Sequence, residues 1–179
     1  ETTLAVAKAL HASAGRPNLF IKIPGTREGL PAVEEAIFAG VPVNVTLLFS
    51  RAQYAAAADA YLRGIERRIA AGLSPDVASV ASLFVSRWDV AVAGKVPANL
   101  VNRLGIAIGH DCLRAYYDHV ASAGVRRAMN AGARPQRLLF ASTGTKDPKA
   151  SDTLYVEALA APLTVNTIPE ATLLAVADH

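Results

Sequence analysis

The sequence predicts a parallel α/β protein: a (β/α)8 barrel, present in part, with about strands 4 to 8 in its 179 residues. Three observations lead there. Five apolar, strand-like runs are each followed by a helical pattern, which implies parallel pairing through helical crossovers. Polar residues recur at successive strand ends (Lys22, Asn44 with Thr46, Ser82 with Arg87, and Ser142), as they do where a barrel converges its strands on one face. The glycine-rich turn G-x-G-x-x-G, by which an open doubly wound sheet commonly announces itself, does not occur. A complete barrel needs ~250 residues, so about three strands are unaccounted for, and these are expected to be the first three.

Residues 2 to 14 place Leu4, Ala7, Leu10 and His11 at helical spacing, and Gly15 with Pro17 ends the run. The stretch Asn18 to Thr26 follows, reading as a buried strand with Lys22 near its carboxyl end and a Pro-Gly-Thr break behind it. Thr26, Glu28, Gly29 and Pro31 open a second helix that ends at Gly40. Val41 to Phe49 is β-branched and apolar except for Asn44 and Thr46, which lie two apart and so share one face of a strand. Ser50 caps a long alanine-rich helix suited to close packing on a sheet and stopped at Gly72.

Val77 to Arg87 reads as the third strand, with Ser82, Phe84 and Ser86 on one face, Leu83 and Val85 on the other, and Arg87 at its end. From Pro97 to Gly132 the pattern is helical in two or three pieces, with Gly105, Gly109 and Gly124 as expected joints. Adjacent residues on a helix point in different directions, so His110, Asp111 and Cys112 are read as structural. Gln136 to Ser142 is a fourth strand, followed by the loop TGTKDPKASD and a helix. Ala161 to Thr167 is a fifth, and Pro169-Glu170 opens the last helix.

With 52% apolar residues the chain can bury one sizeable core, and it reads as a single domain over 1–179. The lone Cys112 has no partner for a disulfide and no neighbour at metal-ligand spacing, which fits a reducing, cytoplasmic setting and no structural metal. No charged leader and no apolar run of membrane-spanning length is present. Formal charge is only +3, and the basic residues are scattered without interleaved aromatics, which argues against a nucleic-acid stripe.

The chemistry centres on Lys22. A lysine used as a nucleophile must be neutral, and burial or a neighbouring cation disfavours the ammonium form. The flanking Ile21 and Ile23 are compatible with the first route, while a lysine that reaches from the strand end to water is the structural alternative. FIKIPGT around Lys22, VPVNVTLLFS, ASLFVSRWD, LLFASTGTKDP and PLTVNTIPEATLLAVADH together, in this order and over essentially the whole chain, resemble the class I transaldolases.

That resemblance implies a TIM barrel enzyme without cofactor or metal, acting on phosphorylated sugars of the pentose phosphate pathway. It would move a dihydroxyacetone unit between sedoheptulose 7-phosphate or fructose 6-phosphate and an aldose phosphate. Lys22 would form the Schiff base. Asn44 and Thr46 match the pair that orders substrate and a catalytic water, Ser82 and Ser142 match pocket-lining hydroxyls, and Arg87 matches a phosphate-binding arginine. In many shorter members the loop after the seventh strand carries a second arginine, where this chain has Ser142-Thr143-Gly144-Thr145-Lys146, so Lys146 reads equally as its replacement, a point charge for phosphate, or as a solvated loop lysine. The family's catalytic aspartate and glutamate belong to its first and third strands, before Glu1, and Asp89 and Glu170 do not fall on the matching strands. Two other readings stand beside it: a Schiff-base aldolase of the fructose-6-phosphate aldolase type, and an inactive barrel fragment folded by association with another chain; self-association through the exposed sheet edge is a separate expectation.

Overall fold

Five strands lie side by side in chain order, all parallel: β1 (Ile21–Pro24), β2 (Val43–Leu48), β3 (Ser79–Phe84), β4 (Arg137–Ala141) and β5 (Val165–Asn166). In this computed structural model, which describes residues 2–179, α1 (Thr2–Ala14) precedes β1, and α2 (Leu30–Phe38) and α3 (Arg51–Ala70) make the first two crossovers. Between β3 and β4 come α4 (Ser86–Val92), a single 3-10 turn at Ala98–Leu100, α5 (Leu104–Val120) and α6 (Ala123–Asn130). The short α7 (Leu154–Ala158) leads to β5, and α8 (Glu170–Asp178) ends the chain.

Each crossover returns to the next neighbour, whereas a doubly wound sheet reverses its strand order at a switch point. The helices therefore collect on one face. Ile21, Ile23, Val43, Val45, Ala81, Leu83, Leu138 and Phe140 point that way and form one core with Val33 and Ile37 of α2, Tyr54 and Tyr61 of α3, and Cys112 and Tyr116 of α5. The opposite face carries a second, smaller cluster of Val80, Phe84, Leu139 and Ala141 with the half-buried Phe20, Phe49 and Val165, none of them helical. This is the layering of part of a (β/α)8 barrel, in which strands face helices outside and one another inside.

Local chemistry accounts for the elements. Ser50 Oγ accepts from Gln53 N at 3.2 Å and caps α3, as its residue type predicts. The alanine stripe of α3 is buried, and a Cβ on Gly64 would lie 2.8 Å from Glu34 O, so glycine is what lets α2 and α3 approach this closely. No helix among the described residues is long and apolar enough to cross a membrane.

The structure corrects several expectations. β1 starts only at Ile21, so Asn18 to Phe20 lie outside it. β2 contains a bulge: Val45 pairs with Ala81 but Leu48 with Leu83, and Leu47 adopts φ 61°. The extra residue returns Leu48 to the helix side and follows directly on Thr46. β3 stops at Phe84, and Arg87 stands in the first turn of α4, not at a strand end. That helix has no side-chain cap of its own and is formed by tertiary contacts of Trp88 and Asp89, which local pattern does not reveal. Gly105, Gly109 and Gly124 are not joints but lie within α5 and α6; the breaks fall at 101–103 and 121–122. Gly105 is required because a Cβ there would sit 2.7 Å from both Asp89 Oδ2 and Val85 O.

Candidate active site

The register of the sheet sets Lys22 beside Asn44, Pro24 beside Thr46 and Asn44 beside Val80. Because side chains alternate along a strand, Lys22, Asn44, Thr46 and Ser82 all project to the face opposite the helices. The expected polar cluster is thus assembled. Ser82 Oγ donates to Asn44 Oδ1 at 2.7 Å. Thr46 is 5% exposed and its Oγ1 has no hydrogen-bond partner among the described residues. A buried hydroxyl left unpaired costs ~1–3 kcal/mol, so such a group points to a ligand or water that completes it.

Lys22 departs from expectation. Its neighbours Ile21 and Ile23 are buried on the helix side, but Lys22 itself is exposed. The apolar strand that was to desolvate the lysine surrounds only its backbone, since alternation sends the side chain the other way. Walls on the open side of the face would have to supply that burial.

Beyond the strand ends lies an aromatic shelf. Phe49 stacks on Phe84 with ring centroids 5.5 Å apart and meets Trp88 edge-on at 6.5 Å, while Trp88 Nε1 donates to Phe49 O at 2.8 Å. The Arg87 guanidinium carbon lies 4.6 Å above the Phe84 ring, an arrangement that orients an exposed cation with no acidic partner among the described residues. Ser142 follows β4 with φ 57°, and its Oγ is 2.9 Å from Ser86 Oγ. Asp89, only 7% exposed, accepts from Leu104 N at 3.0 Å, Gly105 N at 3.2 Å and Tyr155 Oη at 2.8 Å, so it clasps α4 to α5 and α7. Burial and this contact with Asp89 push the Tyr155 phenol well above its ordinary range.

Lys146 stands apart from the strand-face cluster. It is exposed and, with Asp89, Val90, Asn102, Asp147 and Tyr155, lines a cavity of about 410 Å³ beside α4 that includes none of Lys22, Asn44, Thr46 or Ser82. Its Nζ would be 3.8 Å from a Cβ on Gly144, so it reaches back over the glycine of its loop.

The residues read as structural behave so. His110 Nε2 is 2.9 Å from Ala158 O, and Asp111 pairs with Arg51 at 3.3 Å. Cys112 is fully buried, and burial, with Asp111 nearby, pushes its thiol up to about 12. Sequence reasoning did not single out Phe84, Ser86 or Trp88 as parts of the site. The alternation Ser82-Phe84-Ser86 and the Arg87-Trp88 adjacency were the available signals.

Comparison with known proteins agrees with this geometry. The family described as Transaldolase/Fructose-6-phosphate aldolase matches residues 1–179. Curated relatives named Transaldolase include those of Parafrankia sp. (strain EAN1pec) and Thermobifida fusca (strain YX), each 49% identical over 187 residues, covering 100% of this chain and 51% of the relative. Transaldolase 2 of Nostoc sp. (strain PCC 7120) is 42% identical over 196 residues, with 100% of this chain and 51% of the relative covered. The chain spans about half the length of the curated relatives it matches. With a match over its full length, and with a lysine, an asparagine and an unpaired threonine gathered on the inner face of a parallel, singly wound sheet, the chain belongs to the transaldolase/fructose-6-phosphate aldolase family.

Proposed function

We propose that this chain supplies the nucleophile-bearing part of a transaldolase, corresponding to about strands 4 to 8 of the barrel. The observation that carries the reading is the placement of Lys22 in register with Asn44, on one face with the unpaired Thr46 hydroxyl. Lys22 Nζ attacks the C2 carbonyl of a ketose phosphate to give a carbinolamine, and loss of water leaves an iminium. The iminium draws electrons as the C3–C4 bond breaks, which releases an aldose phosphate and retains a three-carbon enamine. The enamine carbon then attacks the acceptor aldehyde, and water hydrolyses the new iminium to release the product ketose and restore the amine.

Thr46 holds the water that relays protons in carbinolamine dehydration and in the closing hydrolysis. Asn44 donates to a ketose oxygen through its free amide nitrogen, while Ser82 and Ser142 line the pocket. Arg87, steadied on Phe84, takes the substrate phosphate, while Lys146, which lines the separate cavity beside α4, is assigned no contact with it. The substrates are sugar phosphates of the pentose phosphate pathway in the cytoplasm. Nucleic acid has no place in this reading, and the chemistry runs through the iminium with no call on a metal.

The test is borohydride reduction in the presence of fructose 6-phosphate, followed by peptide mass spectrometry. In a full-length barrel containing this chain, Lys22 carries the reduced adduct, and Lys22→Ala and Lys22→Arg lose both adduct and turnover. An undiminished adduct on another lysine rejects the assignment. A second reading, a Schiff-base aldolase that releases the three-carbon unit to water, is supported by the breadth of the matched family description. Product formation that requires an acceptor aldose supports transfer, and acceptor-independent release of dihydroxyacetone supports the aldolase.

A further inference from the structure

We infer that Ser86 is a positioning residue that sets the direction of the Ser142 hydroxyl, making Ser142 a hydrogen-bond donor toward the substrate. This rests on the reading of Ser142 as a substrate-binding group. Ser86 is 1% exposed, and its Oγ has Ser142 Oγ, 2.9 Å away, as its hydrogen-bond partner among the described residues. Ser142 is half-buried, at the mouth of the strand face.

Either hydroxyl could donate across that contact, but the two choices are not equivalent. If Ser142 donated, the Ser86 proton would be left in the interior without an acceptor, at the cost of an unmade buried hydrogen bond. If Ser86 donates, its proton is satisfied, and the Ser142 proton turns to the open side where a ligand oxygen can accept it. The second arrangement wins because Ser86 is sealed and Ser142 is not.

The backbone keeps the pair in place. Val85 N donates to Ala141 O and Ser86 N to Ser142 O, each at 3.0 Å, so a backbone tie runs from the turn that opens α4 to the end of β4 and the residue after it. It stops where Ser142 enters the left-handed region, a conformation that costs a non-glycine residue on the order of 1–2 kcal/mol. The contact with Ser86 holds the serine in that turn. Ser86 also immediately precedes Arg87, so the same pin joins the loop carrying the arginine to the loop carrying Ser142.

The experiment is a double-variant cycle in a full-length barrel containing this chain, with KM and kcat measured for fructose 6-phosphate. Ser86→Ala and Ser142→Ala are each expected to raise KM about fivefold to tenfold, the effect of one hydrogen bond, while kcat changes by less than about twofold. The double variant is expected to be no worse than Ser142→Ala, because Ser86 acts only through Ser142. An unchanged KM in Ser86→Ala, or losses that multiply in the double variant, overturns the inference. Ser86→Gly replaces Ser86→Ala if the latter does not reach the wild-type unfolding temperature within a few degrees. Lys22→Ala run alongside separates the two claims: if it keeps turnover, the proposed function fails, and if it loses turnover while the serine variants behave as wild type, only the role of Ser86 fails.

Discussion

The hydroxyl of Ser82 on β3 donates to Oδ1 of Asn44 on β2 at 2.7 Å, across the face opposite the helices. In this orientation of the amide the oxygen is turned to β3. With Oδ1 engaged, Nδ2 has no partner among the described residues, on the strand that pairs on its other side with the one bearing Lys22. A serine two strands away from the lysine thus determines what the residue beside the lysine presents.

Thr46 should show opposite effects on stability and activity. Its buried hydroxyl lacks a partner among the described residues, so Thr46→Val removes an unpaired polar group at nearly constant shape. The unfolding temperature is expected to stay or rise, while kcat of a full-length barrel falls about 10²-fold through loss of the ordered water. A drop in unfolding temperature of many degrees would mean that the hydroxyl is already satisfied in the folded protein.

Arg87→Ala should raise KM for phosphorylated ketoses by about 10²-fold and leave unphosphorylated ketoses nearly untouched. Arg87→Lys should recover little of this, since an ammonium cannot reproduce both the stack on Phe84 and a two-pronged grip on phosphate. Steady-state kinetics on matched substrate pairs checks it, and equal losses for both would mark Arg87 as structural.

Asp89→Ala removes the acceptor for two backbone N–H groups that open α5 and for the Tyr155 hydroxyl, around a carboxylate only 7% exposed. The expected loss is about 2–4 kcal/mol, a helix cap plus a buried hydrogen bond. Asp89→Asn, which keeps one acceptor oxygen, should fall between. Urea denaturation of the three proteins measures the order, and a loss below about 0.5 kcal/mol for the alanine variant contradicts the clasp.

The 179-residue chain alone is expected not to turn over transaldolase substrates. β1 is hydrogen-bonded on one side only, Lys22 stands exposed, and apolar side chains lie open near both ends of the sheet: Val6 and Leu10 on α1, Leu173 and Leu174 on α8. Such an edge favours self-association over a closed pocket. Parallel assays of turnover and slow borohydride trapping, with sedimentation to read the mass, test this. Near-normal turnover by a monomer, with full-length contamination excluded by mass spectrometry, refutes it.

The sequence by itself determined the parallel β/α alternation and, within single strands, the face shared by Asn44 with Thr46 and by Ser82 with Phe84, while the register of the sheet brought Lys22 to the same side. The alternation and the shared faces follow from periodicity, because a period of two puts alternate residues on one side whatever the rest of the chain does. The tertiary structure decided what periodicity does not encode. Arg87 belongs to a helix because Trp88 and Asp89 find partners at Phe49 and at Leu104, Gly105 and Tyr155, residues far off in the chain. Gly105 and Gly109, read as helix breaks, are instead close-contact points against Asp89, Val85 and Leu159. Lys22 is exposed because burial of a strand residue depends on what covers its own face, and the neighbours Ile21 and Ile23 describe the other one. Ser86 meets Ser142 because the parallel pairing of β3 with β4 brings the first residue of α4 against the residue after β4, a contact between positions 56 residues apart that no local pattern announces.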